Sequence, residues 1–359
     1  MFSILFGCLF FVTACGGGGG SSLTGAPAQA ASPSPHPSAS PAAAASAAPA
    51  SSPQPGPTAV AASACLQTQA PAPLTVAVVP FTTFTSKLSS AHTICFSAYV
   101  FTSASFSALD AAAKSGADET VVLPLEEESV DSSDANQLAA DGAHVIIDPG
   151  MTAAHPLHAK LAIVDGSAFL DGRNWDTSDV VVSDTNPADF AAIENALNLN
   201  PTSSANLDTL KSIALSREAQ LITSAAPGSG VTVRFMTESF SSGAANVISA
   251  LEAAAQNGAN VEVVVLASDL SGNTLESATL TTMKNPPFNI SIRTNPADGS
   301  EKMTLIDGQS TGWFGSANAT SSSSDADNYI DWGMTVNDPT VLSSLQSYFD
   351  SVYASSTPF

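Results

Sequence analysis

The sequence predicts an α/β fold built from two similar halves, at residues 74–225 and 226–359. Strand-like and helix-like segments alternate from Leu74 onward, and this alternation is typical of sheets covered by helices. A single shift of 142 residues also aligns two separate features of the halves, because Ala108 corresponds to Ala250 and Lys160 to Lys302. Two features in one register indicate an internal duplication.

The elements of the first half follow from apolar runs and from a glycine that ends a helix. The half opens with the apolar segment Leu74–Val79, a predicted strand. An alanine-rich segment at 105–115 is a predicted helix, and Gly116 directly after it is a natural C-terminal residue. Further predicted strands lie at 93–101, 120–125, 145–147 and 161–164.

The second half repeats this order. The helix sequence ALDAAA at 108–113 returns as ALEAAA at 250–255, and a Gly-Ala pair follows each copy. Further along, Lys160 with Asp165 and Gly166 matches Lys302 with Asp307 and Gly308. The repeat therefore extends from the helix to a strand that begins with lysine.

A histidine and a lysine precede the buried strand at 161–164. His158 and Lys160 are two residues apart, so their side chains point to the same face of an extended chain. A histidine beside a fixed ammonium suits attack on a phosphate ester, since the imidazole is a nucleophile near neutral pH and the ammonium binds phosphoryl oxygens. Asp165 is in a position to orient the imidazole.

These residues resemble the H-x-K-x4-D motif of the phospholipase D superfamily. The first copy has all three motif residues, His158, Lys160 and Asp165, followed by a turn with Gly172 and Asn174. The second copy has a lysine, an aspartate and a Gly-Ser-x-Asn turn but lacks the histidine, and its residues are Lys302, Asp307, Gly315, Ser316, Asn318 and, in place of histidine, Ser300.

The resemblance implies a duplicated α/β/α sandwich whose halves pack about a pseudo-twofold axis. It implies that His158 forms a phosphohistidine and that Lys160 and Lys302 bind the phosphoryl oxygens. It further assigns support of this cradle to Asp165 and Asp307. The remaining expected phosphate-binding residues are Asn174, Ser316 and Asn318. No metal and no cofactor are implied.

Ser300 leaves the position of the general acid empty, and general acid catalysis is typically worth about 10²–10⁴-fold in rate. Glu301, His144 and His155 are alternative acids. Two functions follow: a phosphodiesterase acting on phosphodiesters, above all phospholipids, or an impaired relative that binds phosphate esters or a protein partner.

The amino terminus resembles a bacterial lipoprotein signal. Residues 2–12 are apolar and too short to span a bilayer, and they precede Cys15, the expected lipidation site. The alternative is a plain secretory signal. Residues 16–73 are almost entirely Gly, Ala, Ser, Pro and Thr, a composition typical of a disordered tether. The expected location is therefore the bacterial cell envelope, with membrane attachment through the lipid.

The net charge of the chain narrows the possible substrates further. The 32 acidic and 10 basic side chains give a formal net charge of −22, which disfavours nucleic acid as a substrate.

Outside the signal, Cys65 and Cys95 remain, and an oxidising compartment allows a disulfide between them. The alternative for Cys95 is a buried free thiol. The oligomeric state is left open.

Overall fold

The computed structural model describes most of the chain after the amino-terminal region. The described residues are 65–70, 75–149, 154–224, 228, 230–270, 273–297 and 300–359. The predicted signal at 1–15, with Cys15, and the tether up to residue 64 lie outside them. Among the described helices, none is both long enough and apolar enough to span a bilayer.

The first half contains a seven-stranded sheet. In chain order its strands are β1 (Val76–Val79), β2 (Thr93–Ser97), β3 (Asp118–Pro124), β4 (His144–Asp148), β5 (Lys160–Val164), β6 (Ser167–Asp171) and β7 (Val181–Asp184). The spatial order is β1-β7-β6-β5-β2-β3-β4, with β2, β3 and β4 parallel to one another and the remaining pairs antiparallel. Its helices are α1 (Phe81–Ser89), α2 (Ser103–Lys114), α3 (Glu128–Ala140) and α4 (Pro187–Leu197).

The second half contains an eight-stranded sheet. Its strands are β8 (Leu207–Leu210), β9 (Thr232–Met236), β10 (Asn260–Leu266), β11 (Ser291–Asn295), β12 (Lys302–Ile306), β13 (Gly312–Gly315), β14 (Ile330–Val336) and β15 (Thr357–Pro358). The spatial order is β15-β11-β10-β9-β12-β13-β14-β8. Its helices are α5 (Lys211–Ser224), α6 (Ala245–Gln256), α7 (Ala267–Leu270), α8 (Thr274–Lys284) and α9 (Pro339–Ser355), and short 3₁₀ helices lie at Leu125–Glu127 and Asp325–Asp327.

The two sheets have the same topology. Strands β1 to β7 match β8, β9, β10, β11, β12, β13 and β14 in the same spatial order, and β15 is an extra edge strand. The mixed α/β fold with a duplicated sheet confirms the predicted fold class. Because β8 pairs with β14, the second sheet begins at Leu207, so the repeat unit starts before the expected boundary at 225/226.

Local sequence explains where the main elements begin. Lys160–Val164 forms β5 because its apolar run is buried along its whole length. Helix α2 starts at Ser103 because Thr102 and Ser105 form a capping box. Helix α9 starts at Pro339, where the Asp338 side chain accepts hydrogen bonds from Thr340 N and Val341 N. The predicted strand at 93–101 is shorter in the structure and ends at Ser97.

The halves share one apolar core. A buried cluster combines Leu161 and Val182 of the first half with Met303 and Trp332 of the second. Backbone hydrogen bonds also cross the junction, from His158 N to Ile330 O and from Ile330 N to Pro156 O. The segment just before β5 therefore lies directly against β14.

Residues 65–70, which the tether was expected to include, pack on the first half. Gln67 Nε2 donates to Ile163 O, and Ala70 N donates to Gly166 O. Cys65 and Cys95 are both buried and free, which is the second of the two alternatives that the sequence left open. The neighbouring Cys95 thiol and burial together raise the pKa of Cys65.

Candidate active site

Two lysines at equivalent strand positions define the site. Lys160 is the first residue of β5 and Lys302 is the first residue of β12, and both are 1% exposed. The positive charge of each lysine is close enough to influence His158. The structure therefore brings together His158, Lys160 and Lys302, as the motif predicted.

His158 is held by both halves. Its Nδ1 lies 3.0 Å from Oδ2 of Asp331 on β14, and its Nε2 lies 3.1 Å from Lys160 Nζ. An ionised carboxylate only accepts hydrogen bonds, so we assign the imidazole proton to Nδ1. This tautomer places the lone pair that a nucleophile needs on Nε2, on the side of Lys160.

Burial and charge keep the two partners in these protonation states. Burial lowers the pKa of His158, and Lys160 lowers it further against the opposing effect of Asp331. Burial alone would raise the pKa of Asp331, but His158, Lys160 and the Ser316 hydroxyl outweigh it and lower this pKa to about 2. A neutral imidazole beside a carboxylate is therefore the form at neutral pH.

The pKa of Lys160 is also lowered, which favours the neutral amine. Burial lowers the pKa of Lys160 to about 8, and the neighbouring Lys302 adds to this lowering, while Asp331 and Glu238 oppose it. The ammonium lies 5.4 Å from the centre of the Tyr99 ring, a cation–π distance. Most of the Lys160 population is thus charged at pH 7, and the charge is lost in the mildly alkaline range.

Lys302 connects the two halves. Its Nζ donates to Gly172 O at 2.9 Å and lies 2.6 Å from Glu238 Oε2. Gly172 is required for this contact, since a Cβ there would lie 2.1 Å from Glu301 Oε2 and 2.9 Å from Gly315 O. The glycine of the motif therefore allows a close approach between the halves.

The two motif aspartates lie away from the imidazole. Asp165 occupies the turn after β5, where its carboxylate accepts hydrogen bonds from His92 N and Thr93 N. Asp307 occupies the equivalent turn after β12 and pairs with Arg234. Both side chains are nearly half exposed, at 48% and 46%. They stabilise the turns, and the contact with His158 that we expected of Asp165 is made by Asp331.

The expected phosphate-binding residues have different surroundings. Ser316 is fully buried, where its hydroxyl donates to Asp331 Oδ1 and accepts from Trp332 N. Asn318 Oδ1 accepts from Ser239 N at 3.1 Å, so it holds the loop that carries Glu238. Asn174 lies in the turn after β6, and its buried Oδ1 has no hydrogen-bond partner among the described residues.

The position in the second half that is equivalent to His158 lies in a buried polar cluster and holds a serine in place of histidine. Ser300 is fully buried and accepts a hydrogen bond from Asn295 Nδ2 at 2.8 Å. Strand register makes Asp179 the counterpart of Asp331, but Asp179 Oδ1 is bonded to Arg173 Nη1 at 2.7 Å. The second half of the active site thus lacks both the imidazole and a free carboxylate to orient one.

Within the described residues, Asp171, Asp179 and Glu301 form the acidic group that is close enough to hold a metal ion, with one oxygen of each within 4.8 Å of the others. Burial raises the pKa of Glu301 to about 8, and Asp179 adds to this effect. Arg173 already pairs with Asp179. We therefore infer that the negative charge of these carboxyl groups is balanced by Arg173 and by bound protons.

Among the described residues, the other acids considered from sequence form no hydrogen bond to the motif lysines. The Oε1 atom of Glu301 accepts from Val180 N at 2.7 Å, and the residue is fully buried. His155 Nδ1 lies 3.0 Å from Asn328 O. His144 is exposed at the start of β4. None of these contacts joins the side chain to Lys160 or Lys302.

Two residues of the site were missed from the sequence. Asp331 was not expected because its partner His158 is 173 positions away. Glu238 follows β9 as Tyr99 follows β2, each six residues after the start of its strand, and both side chains contact a motif lysine. The duplication carried the signal for Glu238, because the residues that follow equivalent strands line the same site.

Comparisons with known proteins agree with this fold. The family model described as "Cardiolipin synthase, PLD-like domain" matches residues 219–353. Polyphosphate kinase from Porphyromonas gingivalis shares the fold at a TM-score of 0.51 and 16% identity, over 77% of this chain and 49% of that one. This chain therefore spans about half the length of that kinase.

Two smaller structures match about one half of the chain. Nuc from Salmonella typhimurium, a phospholipase D family member, is 20% identical with a TM-score of 0.35, over 44% of this chain and 98% of its own. NucT from Helicobacter pylori is 19% identical with a TM-score of 0.34, over 42% of this chain and 92% of its own. No curated protein sequence matches. Residues 219–353 therefore match a PLD-like domain, and the motif residues assembled in the first half resemble the same phospholipase D superfamily.

Proposed function

We propose that the protein is a phosphodiesterase that cleaves phosphodiester bonds, with phospholipids as the substrate class, through a phosphohistidine at His158. The observation that carries the proposal is the arrangement of His158, whose Nδ1 is oriented by Asp331 while Nε2 lies beside Lys160. A nucleophile with an orienting carboxylate and adjacent cations matches the requirements of phosphoryl transfer.

The reaction follows from these contacts in two steps. Nε2 attacks phosphorus, an N–P bond forms and the bond to the leaving oxygen breaks, while Lys160 and Lys302 stabilise the charge on the phosphoryl oxygens. Water then attacks phosphorus, the N–P bond breaks and the imidazole is regenerated. Asp331 stabilises the positive charge that His158 carries in the intermediate.

The decisive experiment uses an activated aryl phosphodiester, such as bis(4-nitrophenyl) phosphate. Because 4-nitrophenolate is stable, its departure needs little protonation, and we expect hydrolysis even though Ser300 replaces the expected acid. His158→Ala removes the nucleophile and abolishes hydrolysis, and wild type denatured at alkaline pH during turnover, where the N–P bond survives, yields a phosphorylated His158 peptide by mass spectrometry. Hydrolysis that persists in His158→Ala refutes the mechanism.

A second candidate function is a module that binds phosphate esters or a protein partner without turnover. The burial of Ser300 and the pairing of Asp179 with Arg173 favour it, because both show the second catalytic position converted to a structural one. Sulfate binding that depends on Lys160 and Lys302, with no aryl ester hydrolysis by wild type, selects this function.

We propose that the protein acts at the bacterial cell envelope as a lipoprotein anchored through Cys15. The apolar segment at 2–12 and the Gly- and Pro-rich residues after Cys15 support this location. Cys15→Ala is expected to release the protein from membranes, and intact-mass analysis of wild type should show lipid on Cys15. Cleavage at another residue without lipid contradicts the anchor.

A further inference from the structure

The proposed reaction needs a proton donor for the leaving oxygen, and Glu238 is a carboxyl group that pairs directly with Lys302. Its Oε2 lies 2.6 Å from Lys302 Nζ, and its side chain is 25% exposed, so protons can exchange with solvent. Ser300, by contrast, is fully buried and hydrogen-bonded to Asn295. Glu238 also belongs to the second half, as Ser300 does.

The backbone fixes Glu238 at the end of β9. Thr237 N donates to Val264 O at 3.1 Å, and Leu266 N donates to Glu238 O at 3.2 Å. Ser239 N donates to the Asn318 side chain at 3.1 Å. Hydrogen bonds on both sides of the residue therefore hold its carboxylate next to Lys302, as a positioned proton donor requires.

We propose that Glu238 is the general acid and base of this site, in place of the missing second histidine. This inference rests on the proposed phosphodiesterase function. Glu238 takes up one proton from solvent when the phosphate ester binds, and it donates that proton to the leaving alcohol oxygen as His158 forms the N–P bond. The resulting carboxylate then removes a proton from the attacking water as the N–P bond breaks.

The charges around Glu238 explain how it changes protonation state. Burial would raise the pKa of Glu238, but Lys302, Lys160 and His158 lower it overall. Asp269 on α7 is the other charged group that interacts with it. A bound phosphate ester engages the lysines and adds negative charge beside a largely buried carboxyl. Both changes favour the protonated form of Glu238, so substrate binding itself protonates the general acid.

The first test compares leaving groups in Glu238→Gln. We expect kcat/KM for an alkyl phosphodiester to fall about 10²–10⁴-fold, because an alkoxide needs protonation to leave. The loss for the 4-nitrophenyl ester should be less than about 10-fold, because that leaving group departs as a stable anion. The matched control is Glu262→Gln on β10, which removes a carboxylate paired with Arg234 of β9 and should leave both activities unchanged.

The second test is independent of turnover. Sulfate mimics the phosphoryl dianion and does not titrate near neutral pH, so calorimetry of its binding in buffers of different ionisation enthalpy reports protons taken up by the protein. We expect wild type to take up more protons on sulfate binding than Glu238→Gln. The His158→Ala variant should still take up the proton that Glu238 binds.

The outcomes separate this inference from the proposed function. Equal losses on both esters, a gain in activity in Glu238→Gln, or unchanged proton uptake overturn the role of Glu238 while the phosphodiesterase stands. Wild type without His158-dependent aryl hydrolysis overturns both. A steeper dependence on the leaving group together with reduced proton uptake in Glu238→Gln supports the inference.

Discussion

Asp331 of the second half accepts a hydrogen bond from His158 of the first, with 3.0 Å between Oδ2 and Nδ1. The proposed nucleophile of one copy is thus oriented by the other copy. The backbone bond from His158 N to Ile330 O brings the two residues together. The site therefore depends on the packing of both halves, and the interface is part of the proposed catalytic arrangement.

Replacing Asp331 should remove activity without removing the nucleophile. Asp331→Asn takes away the negative charge that stabilises the imidazolium, and its amide can favour the wrong tautomer of His158. We expect kcat for aryl esters to fall about 10²–10⁴-fold. Asp165→Asn is the matched control, since Asp165 lies in a turn without contact to His158, and its kcat should change less than about threefold. Similar losses in both variants contradict the assignment.

The pH dependence should have two limbs. The lowered pKa of His158 keeps the imidazole neutral at neutral pH, so kcat/KM falls only as the pH drops far enough to protonate the ring. As the pH rises through about 8, Lys160 loses its proton and its charge, so kcat/KM falls again. Arginine stays charged, so the alkaline limb should move to higher pH in Lys160→Arg. An unchanged alkaline limb would show that another group controls it.

The part of the site that could be predicted from the sequence is the part that depends on local patterns. His158 and Lys160 share a face through strand periodicity alone, and the shift of 142 residues located Lys302. Asp331 depends on tertiary packing between the halves, which no local pattern reveals. The start of the second half at Leu207 was also hidden, because β8 is only four residues long and its sequence, LDTL, carries no strong strand signal.

Gly172 should tolerate no side chain. A Cβ at this position would lie 2.1 Å from Glu301 Oε2 and 2.9 Å from Gly315 O, so Gly172→Ala must move the halves apart. Overpacking of this kind typically costs about 1–3 kcal/mol. We expect a lower thermal midpoint and a larger loss of activity, since Gly172 O also accepts from Lys302. Gly228→Ala is the control, because nothing lies within 4 Å of its added Cβ.

Restoring the second histidine should require freeing its carboxylate as well. In Ser300→His the new imidazole enters a buried position where Asp179, the counterpart of Asp331, is held by Arg173. We therefore expect the single variant to gain little activity on alkyl phosphodiesters.

The double variant Ser300→His/Arg173→Met frees Asp179 to orient the new imidazole. When protonated, this imidazole replaces the positive charge lost with Arg173. If Glu238 is the natural acid, the pair of changes should rescue Glu238→Gln on alkyl esters by up to about 10²–10⁴-fold, with little effect on aryl esters. Circular dichroism and thermal midpoints confirm that each variant is folded. Full rescue by Ser300→His alone would show that Arg173 does not sequester Asp179, and rescue on aryl esters alone would show that the new group does not act as an acid.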